Sequence, residues 1–268
     1  MLIRHDLKLI FIHVPKCGGT KLRSVLKKGC NKEDISELWN YAYDKELCRY
    51  VDKAHMPMSD LRGTKYEEFI YKYNVIACCR NPYLRLYSAA NEFYRQKGKD
   101  TEAIIKDCGT TIEMRRKYYK RLGRMHSSLD PRYIHSLPIT RFTHIGERPV
   151  IDYILRCENM RADFKDMSDK LKLPKMIKKQ GEEVLIDSNE ENLLNKLQDE
   201  ELRIAERIYE SDFKTFEYEM DKERSKLIKY KKAESVKNIH LEQGLIWHWG
   251  PEASKGISDK YIKTRGNG

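Results

Sequence analysis

Apolar residues crowd into a few short runs along this chain. The first, Leu7 to Val14, is almost continuous (LKLIFIHV), and its β-branched and aromatic content suits a buried parallel strand better than an amphipathic helix. A helical pattern follows from about Lys21 to Lys28, and between the two lies a glycine-containing turn, Pro15-Lys16-Cys17-Gly18-Gly19-Thr20. A second strand pattern, Tyr73 to Cys79 (YNVIACC), ends in Arg80-Asn81-Pro82. Tyr83 to Tyr94 then continues with helical spacing, and Pro82 suits the first helical position. A third apolar stretch, Phe142 to Ile145, precedes IDYILRCENM. From Glu190 to Tyr218 the pattern is helical, with Leu193, Leu194, Leu197, Ile204, Ala205 and Ile208 giving a recurring apolar face.

Between these segments, Arg115 to Pro138 is basic, tyrosine-rich and without clean periodicity, which predicts helices and loops around a substrate cleft rather than core. After about Asp221 the character changes: Lys222 to Lys237 carries seven basic residues against two acidic ones, and a tail with Trp247, His248 and Trp249 follows. The expected organisation is a main α/β domain over residues 1–220 and a basic, aromatic extension over 221–268, read as a lid, an interface arm or a partly disordered segment. There is no internal repeat and no heptad pattern from which to read an oligomeric state.

A chain of 268 residues that is 40% hydrophobic can bury one substantial core. Its 35% charged residues and 17 tyrosines against 7 phenylalanines describe a polar surface, and no stretch approaches the ~20 apolar residues that span a bilayer. The amino terminus has no apolar core followed by a small-residue cleavage site, and the seven cysteines form no CxxC pair or Cys/His cluster, so a cytoplasmic protein with reduced thiols and no metal site is expected. The net charge of +11 draws anions in general: nucleic acid, an anionic membrane, a polyanionic glycan or a phosphorylated nucleotide.

The chemistry narrows that field. Strand, Pro15 to Thr20, helix is the layout of an anion site: glycines let amide hydrogens turn inward, and the helix start adds unpaired donors and a partial positive charge. Lys16 adds a mobile cation and Thr20 a hydroxyl. The spacing is not GxxxxGK[ST], because the lysine precedes the glycines, which disfavours a conventional ATP or GTP hydrolase and its magnesium. In the second strand-to-helix unit Arg80 can hold a second phosphate and Ser88 can reach it from the following helical turns, whereas Arg85 and Arg95 read as surface or ion-pair residues.

FIHVPKCGGTKL followed by CCRNPYLRLYSAA resembles the paired 5′-phosphosulfate and 3′-phosphate loops of the sulfotransferases that use 3′-phosphoadenosine 5′-phosphosulfate (PAPS), particularly the branch with carbohydrate and heparan 2-O-sulfotransferases. DYILRCENMRADF and IYESDFKTFEYE look like later segments of that branch, so the resemblance covers roughly residues 8 to 220. It implies a P-loop-like three-layer α/β fold, a central parallel sheet flanked by helices. It also implies a PAPS site at Lys16, Cys17, Gly18, Gly19, Thr20, Lys21, Arg80 and Ser88. Cys17 and Lys21 stand where the commoner PKTGGTS form has hydroxyls.

The expected reaction moves a sulfuryl group from PAPS to a hydroxyl of a carbohydrate or small-molecule acceptor, without metal. Lys16 stabilises the leaving oxygen and His55, in KAHMPMSDLRG between the two motifs, takes the acceptor proton. Glu92, His126 and His135 compete for the role of base, and His13, inside the first strand, reads as structural or loop-orienting. Two other classes stay open at this level: a kinase-like phosphoryl transferase, for which no magnesium-binding acid is evident, and a non-catalytic nucleic-acid-binding protein.

Overall fold

A computed structural model describes residues 1–39, 41–45, 49–96, 109–122, 131–188 and 191–220. Strand β1 (Leu2–Arg4) turns back through His5 to Lys8 into β2 (Leu9–Ile12), the first apolar run, whose four residues are all buried. Outside β1 lies β3 (Ile35–Glu37). The hairpin of β4 (Tyr41–Asp44) and β5 (Arg49–Asp52) stands apart from the main sheet. The YNVIACC run forms β6 (Asn74–Cys79), parallel to β2 with Phe11 opposite Ile76. A two-residue pair, β7 (His144–Ile145) and β8 (Arg148–Pro149), leads to β9 (Tyr153–Arg156), parallel to β6 with Cys79 opposite Arg156.

The sheet order is β3-β1-β2-β6-β9. The expected central parallel sheet is therefore corrected to a mixed one, in which β2, β6 and β9 are parallel while β1 and β3 run antiparallel on one side. The cause is local. The connection from Arg4 to Leu9 is a tight turn, closed by Lys8 N–H to the His5 carbonyl at 3.3 Å, and so short a link permits only an antiparallel neighbour.

Helices α1 (Gly19–Leu26), α2 (Glu67–Lys72) and α3 (Pro82–Arg95) precede α4 (Ile112–Leu122), α5 (Thr140–Thr143), α6 (Met160–Lys170) and α7 (Lys175–Val184). The predicted helical stretch from Glu190 to Tyr218 is broken into α8 (Glu191–Leu194), α9 (Asp199–Ile208) and α10 (Glu210–Thr215). Two groups flank the sheet: α1 packs on α7, which packs on α6 beside β9, while α3 packs against α4 and α9.

The tyrosine-rich segment is not simply cleft lining. Tyr118 is fully buried and packs with Phe93 and Tyr133, ring centroids 4.9 and 5.8 Å away. Arg115 of α4 pairs with buried Glu201 of α9, which also accepts a hydrogen bond from Tyr119 at 3.0 Å. Arg115 thus holds two helices together, while Arg116, Lys117, Lys120 and Arg121 face solvent. Cys17, Cys30, Cys78, Cys79 and Cys157 are unbonded thiols. No helix among the described residues is long and apolar enough to cross a membrane. The extension expected over 221–268, with Trp247, His248 and Trp249, lies outside the described residues.

Candidate active site

The carboxyl ends of the parallel strands open on one side of the sheet, the place where open α/β sheets bind ligands. From β2 the chain passes through His13 and Val14 into the glycine-containing turn. Lys16 sits at φ 65° and Gly18 at φ 70°, both in the left-handed region. For a lysine that backbone costs roughly 1–2 kcal/mol and needs support from outside the turn. Arg80 Nη1 donates to the Lys16 carbonyl at 3.0 Å, and Arg85 Nε donates to the Pro15 carbonyl at 3.1 Å.

Gly18 and Gly19 are glycines for different reasons. Gly18 needs its positive φ, whereas a Cβ on Gly19 would collide with the His13 ring, 2.8 Å from Nε2. Helix α1 starts at Gly19 with no side-chain cap and no acidic residue in its first turn, so its leading amides are left to an anion. Thr20 and Lys21 are exposed on that turn, facing the cavity. Cys17 points the other way: its side chain is fully buried, and burial pushes the thiol up to about 12.

The second junction is capped mostly by its own residues. The Asn81 side chain accepts from the Tyr83 amide at 2.9 Å, Pro82 occupies the first turn of α3, and the Asn81 amide donates to Glu158 at 2.6 Å. Arg80 and, further along α3, Ser88 line the same cavity as the first turn. Glu92, also on α3, accepts from Lys16 Nζ at 3.1 Å and from Arg95 Nε at 3.0 Å. Burial works to raise the Glu92 carboxyl, but hydrogen bonds from Arg95 and Lys16 outweigh it and bring it down to about 2. So committed a carboxylate is a poor proton acceptor near neutral pH.

Three histidines form the far wall. His55 ends a 3-10 turn, Lys53–His55, capped by Asp52, whose carboxylate accepts the Ala54 and His55 amides. His55 Nδ1 lies 2.9 Å from the His13 carbonyl, which can only accept. That assigns the proton to Nδ1 and leaves the lone pair on Nε2. The His55 ring lies 4.7 Å from His13 and edge-on, 5.1 Å, to His135. Burial, then the neighbouring His55, hold His13 down to about 2 and His135 to about 3. Burial lowers His55 as well, against the raising influence of Asp52 and the His13 carbonyl. All three rings are therefore neutral at pH 7.

These walls enclose a cavity of ≈ 480 Å³ that joins the first turn, Arg80, Ser88, Glu92 and the histidines. The sequence matches the sulfotransferase family over residues 1–219. The chain belongs to that family. No curated protein and no solved structure matches it.

Within the sulfotransferase domain, Lys16, Gly18, Gly19, Thr20, Lys21, Arg80, Ser88 and His55 thus converge on one cavity. Cys17 can contribute only backbone. His135 reaches the wall beside His55, and His126 lies outside the described residues. Two of the side readings change. Of the two roles expected for Arg85, ion pairing holds and surface exposure does not: it is a fully buried brace, 3.9 Å from equally buried Asp212. His13, expected to be structural or loop-orienting, also lines the cavity, stacked between Phe11 and Trp39 at 5.7 and 5.6 Å.

Sequence reasoning missed Trp39, Cys157, Met160 and the extended segment Leu185 to Ser188, all of which line the cavity. Ile186 is 59% exposed there, and the Ser188 amide is tied to the Cys157 carbonyl at 2.8 Å. Trp39 and Leu185 to Ser188 adjoin no helix or strand that the pattern predicts, so no local signal marked them.

Proposed function

We propose that this sulfotransferase moves the sulfuryl group of PAPS to a hydroxyl of a carbohydrate or small-molecule acceptor by in-line displacement. The 5′-phosphosulfate lies on the amides of Gly18 to Lys21, in a P-loop-like cradle, and the 3′-phosphate lies between Arg80 and Ser88. The acceptor oxygen attacks sulfur from the histidine side as the bond from sulfur to the bridging phosphate oxygen breaks. The acceptor proton passes to His55 Nε2, and Lys16 meets the charge that develops on the departing oxygen.

The observation that carries this reading is the convergence, on one cavity, of an uncapped helix start, a second cation-bearing junction and a neutral imidazole with its lone pair assigned. No step calls for a metal ion, since lysine and backbone amides suffice for the single charge of a sulfuryl group. The net charge of +11 favours anionic donor and acceptor alike.

Calorimetric titration with the desulfonated nucleotide 3′-phosphoadenosine 5′-phosphate (PAP) tests the donor site. PAP is expected to bind wild type, to lose about a hundredfold in affinity with Arg80→Ala, and to outcompete ATP and 5′-AMP. Absence of PAP binding overturns the reading.

A further inference from the structure

We infer that Asp52, His55 and His135 form a three-ligand site for a zinc-class divalent ion in the histidine wall, and that the bound ion takes the His55 lone pair out of use. One ligand atom from each residue lies within 4.8 Å of the other two, the one such group among the described residues. Tetrahedral zinc, with bonds of about 2.0–2.1 Å, holds its ligand atoms roughly 3.3 Å apart. The three groups therefore already stand close to the spacing that a bound ion requires.

The local architecture already has the form of a ligand set. Asp52 caps the 3-10 turn Lys53–His55 and His55 ends it, so the two side chains are brought together by a three-residue element. The amides of Ala54 and His55 fix the Asp52 carboxylate by donating to its Oδ1. The Nδ1–H of His55 is bound to the His13 carbonyl at 2.9 Å, the outer-sphere bond that typically orients a metal-bound imidazole and presents Nε2. His135 approaches edge-on from a separate turn, Pro131–Ser136, so an ion would staple together two segments remote in sequence.

The donor set also selects the ion. Two imidazole nitrogens and one carboxylate suit zinc and its transition-metal neighbours, whereas magnesium and calcium prefer oxygen ligands. Because His55 and His135 line the cavity, an ion they hold would sit at its wall. A nitrogen bonded to zinc cannot accept a proton, so the ion blocks the base. That consequence rests on the sulfuryl-transfer reading; the binding does not.

Cobalt(II) and zinc chloride are titrated into chelator-stripped full-length protein, followed by visible absorbance and calorimetry. The expected result is one equivalent with cobalt bands from nitrogen and oxygen ligands, no thiolate charge-transfer band, and no heat with magnesium chloride. Loss of an outer-sphere partner alone weakens metal sites about 10–100-fold, so Asp52→Asn and His135→Gln should each weaken binding at least about tenfold. Circular dichroism establishes that both variants are folded. Zinc should also protect His55 and His135, and no histidine outside the cluster, from carbethoxylation read by mass spectrometry. No stoichiometric binding, binding that survives both substitutions, or a thiolate band overturns the site. Unprotected His55 in the zinc-bound protein overturns the block. PAP calorimetry on the same samples reports separately on the donor site, so failure of one reading is not mistaken for failure of the other.

Discussion

The junction after β2 and the junction after β6 both turn a buried parallel strand into a helix, by opposite means. The second is capped mostly from within: Asn81 caps α3 and Pro82 removes one unneeded donor, and Glu158, from the turn after β9, takes the Asn81 amide. The first satisfies almost nothing internally. It places a lysine and a glycine in the left-handed region and starts α1 without a side-chain cap. Its supports come from α3, whose entrance supplies Arg80 to the Lys16 carbonyl and Arg85 to the Pro15 carbonyl, and whose Glu92 holds the Lys16 ammonium. A loop that must keep its amides available for a ligand cannot use them on itself. Its rigidity is supplied by the neighbouring junction.

If α3 supports the first turn, removing its buried brace should do the most damage. Arg85→Ala strips the Pro15 carbonyl of its donor and leaves Asp212 buried beside a void. Breaking a buried charge pair typically costs about 3–5 kcal/mol. Urea denaturation should show a loss of that size. Arg95→Ala, on the half-exposed end of the same helix, should cost well under half as much.

The contrast between the two arginines also explains what the sequence could and could not disclose. The strands β2 and β6 were legible because parallel strands are buried on both faces, so their residues run apolar without alternation. Both turns were legible because glycine pairs and an Arg-Asn-Pro stop are local chemistry. Arg85 was not, since helical spacing reports which face a residue occupies and not whether its charge is matched by a carbonyl some 70 residues earlier in the chain. Tyr118 and Tyr133 were misread for a related reason: basic neighbours hid an aromatic core cluster whose partners are supplied by other helices. The antiparallel strands β1 and β3, three residues each, are too short to show a period. His55, His135 and Trp39 meet only in three dimensions, and no spacing rule brings them together.

A smaller effect separates the latch from the brace. Glu92 has its carboxyl depressed to about 2 from an ordinary value of 4.5, so the folded state binds the proton less readily than the unfolded chain. Its stabilisation is therefore complete above about pH 4.5 and is lost as pH falls from there toward 2. Glu92→Gln should lower stability by about 1–3 kcal/mol at pH 7. In thermal melts the gap between variant and wild type should shrink steadily below pH 4.5 and nearly close by pH 2. A gap that stays constant with pH would mean that Glu92 supports the first turn by packing rather than by charge.

The smallest effect is expected at Cys17, the position where the family resemblance is least like the geometry. The commoner form of this turn has a threonine there, whose hydroxyl would be counted toward the ligand. Here the side chain lies wholly inside the core, and its thiol, pushed up to about 12 by burial, carries no charge at neutral pH. What position 17 offers a bound anion is its backbone, which Lys16 and Gly18 on either side already orient. Cys17→Ala should therefore leave PAP affinity within about twofold of wild type while lowering stability by about 1 kcal/mol for the lost packing. Cys17→Thr should not tighten binding, because the new hydroxyl would point into the core beside Arg85 rather than into the cradle. A tenfold change in PAP affinity from either substitution would show that this turn reshapes itself around its ligand, and that the supports from α3 are looser than their hydrogen bonds imply.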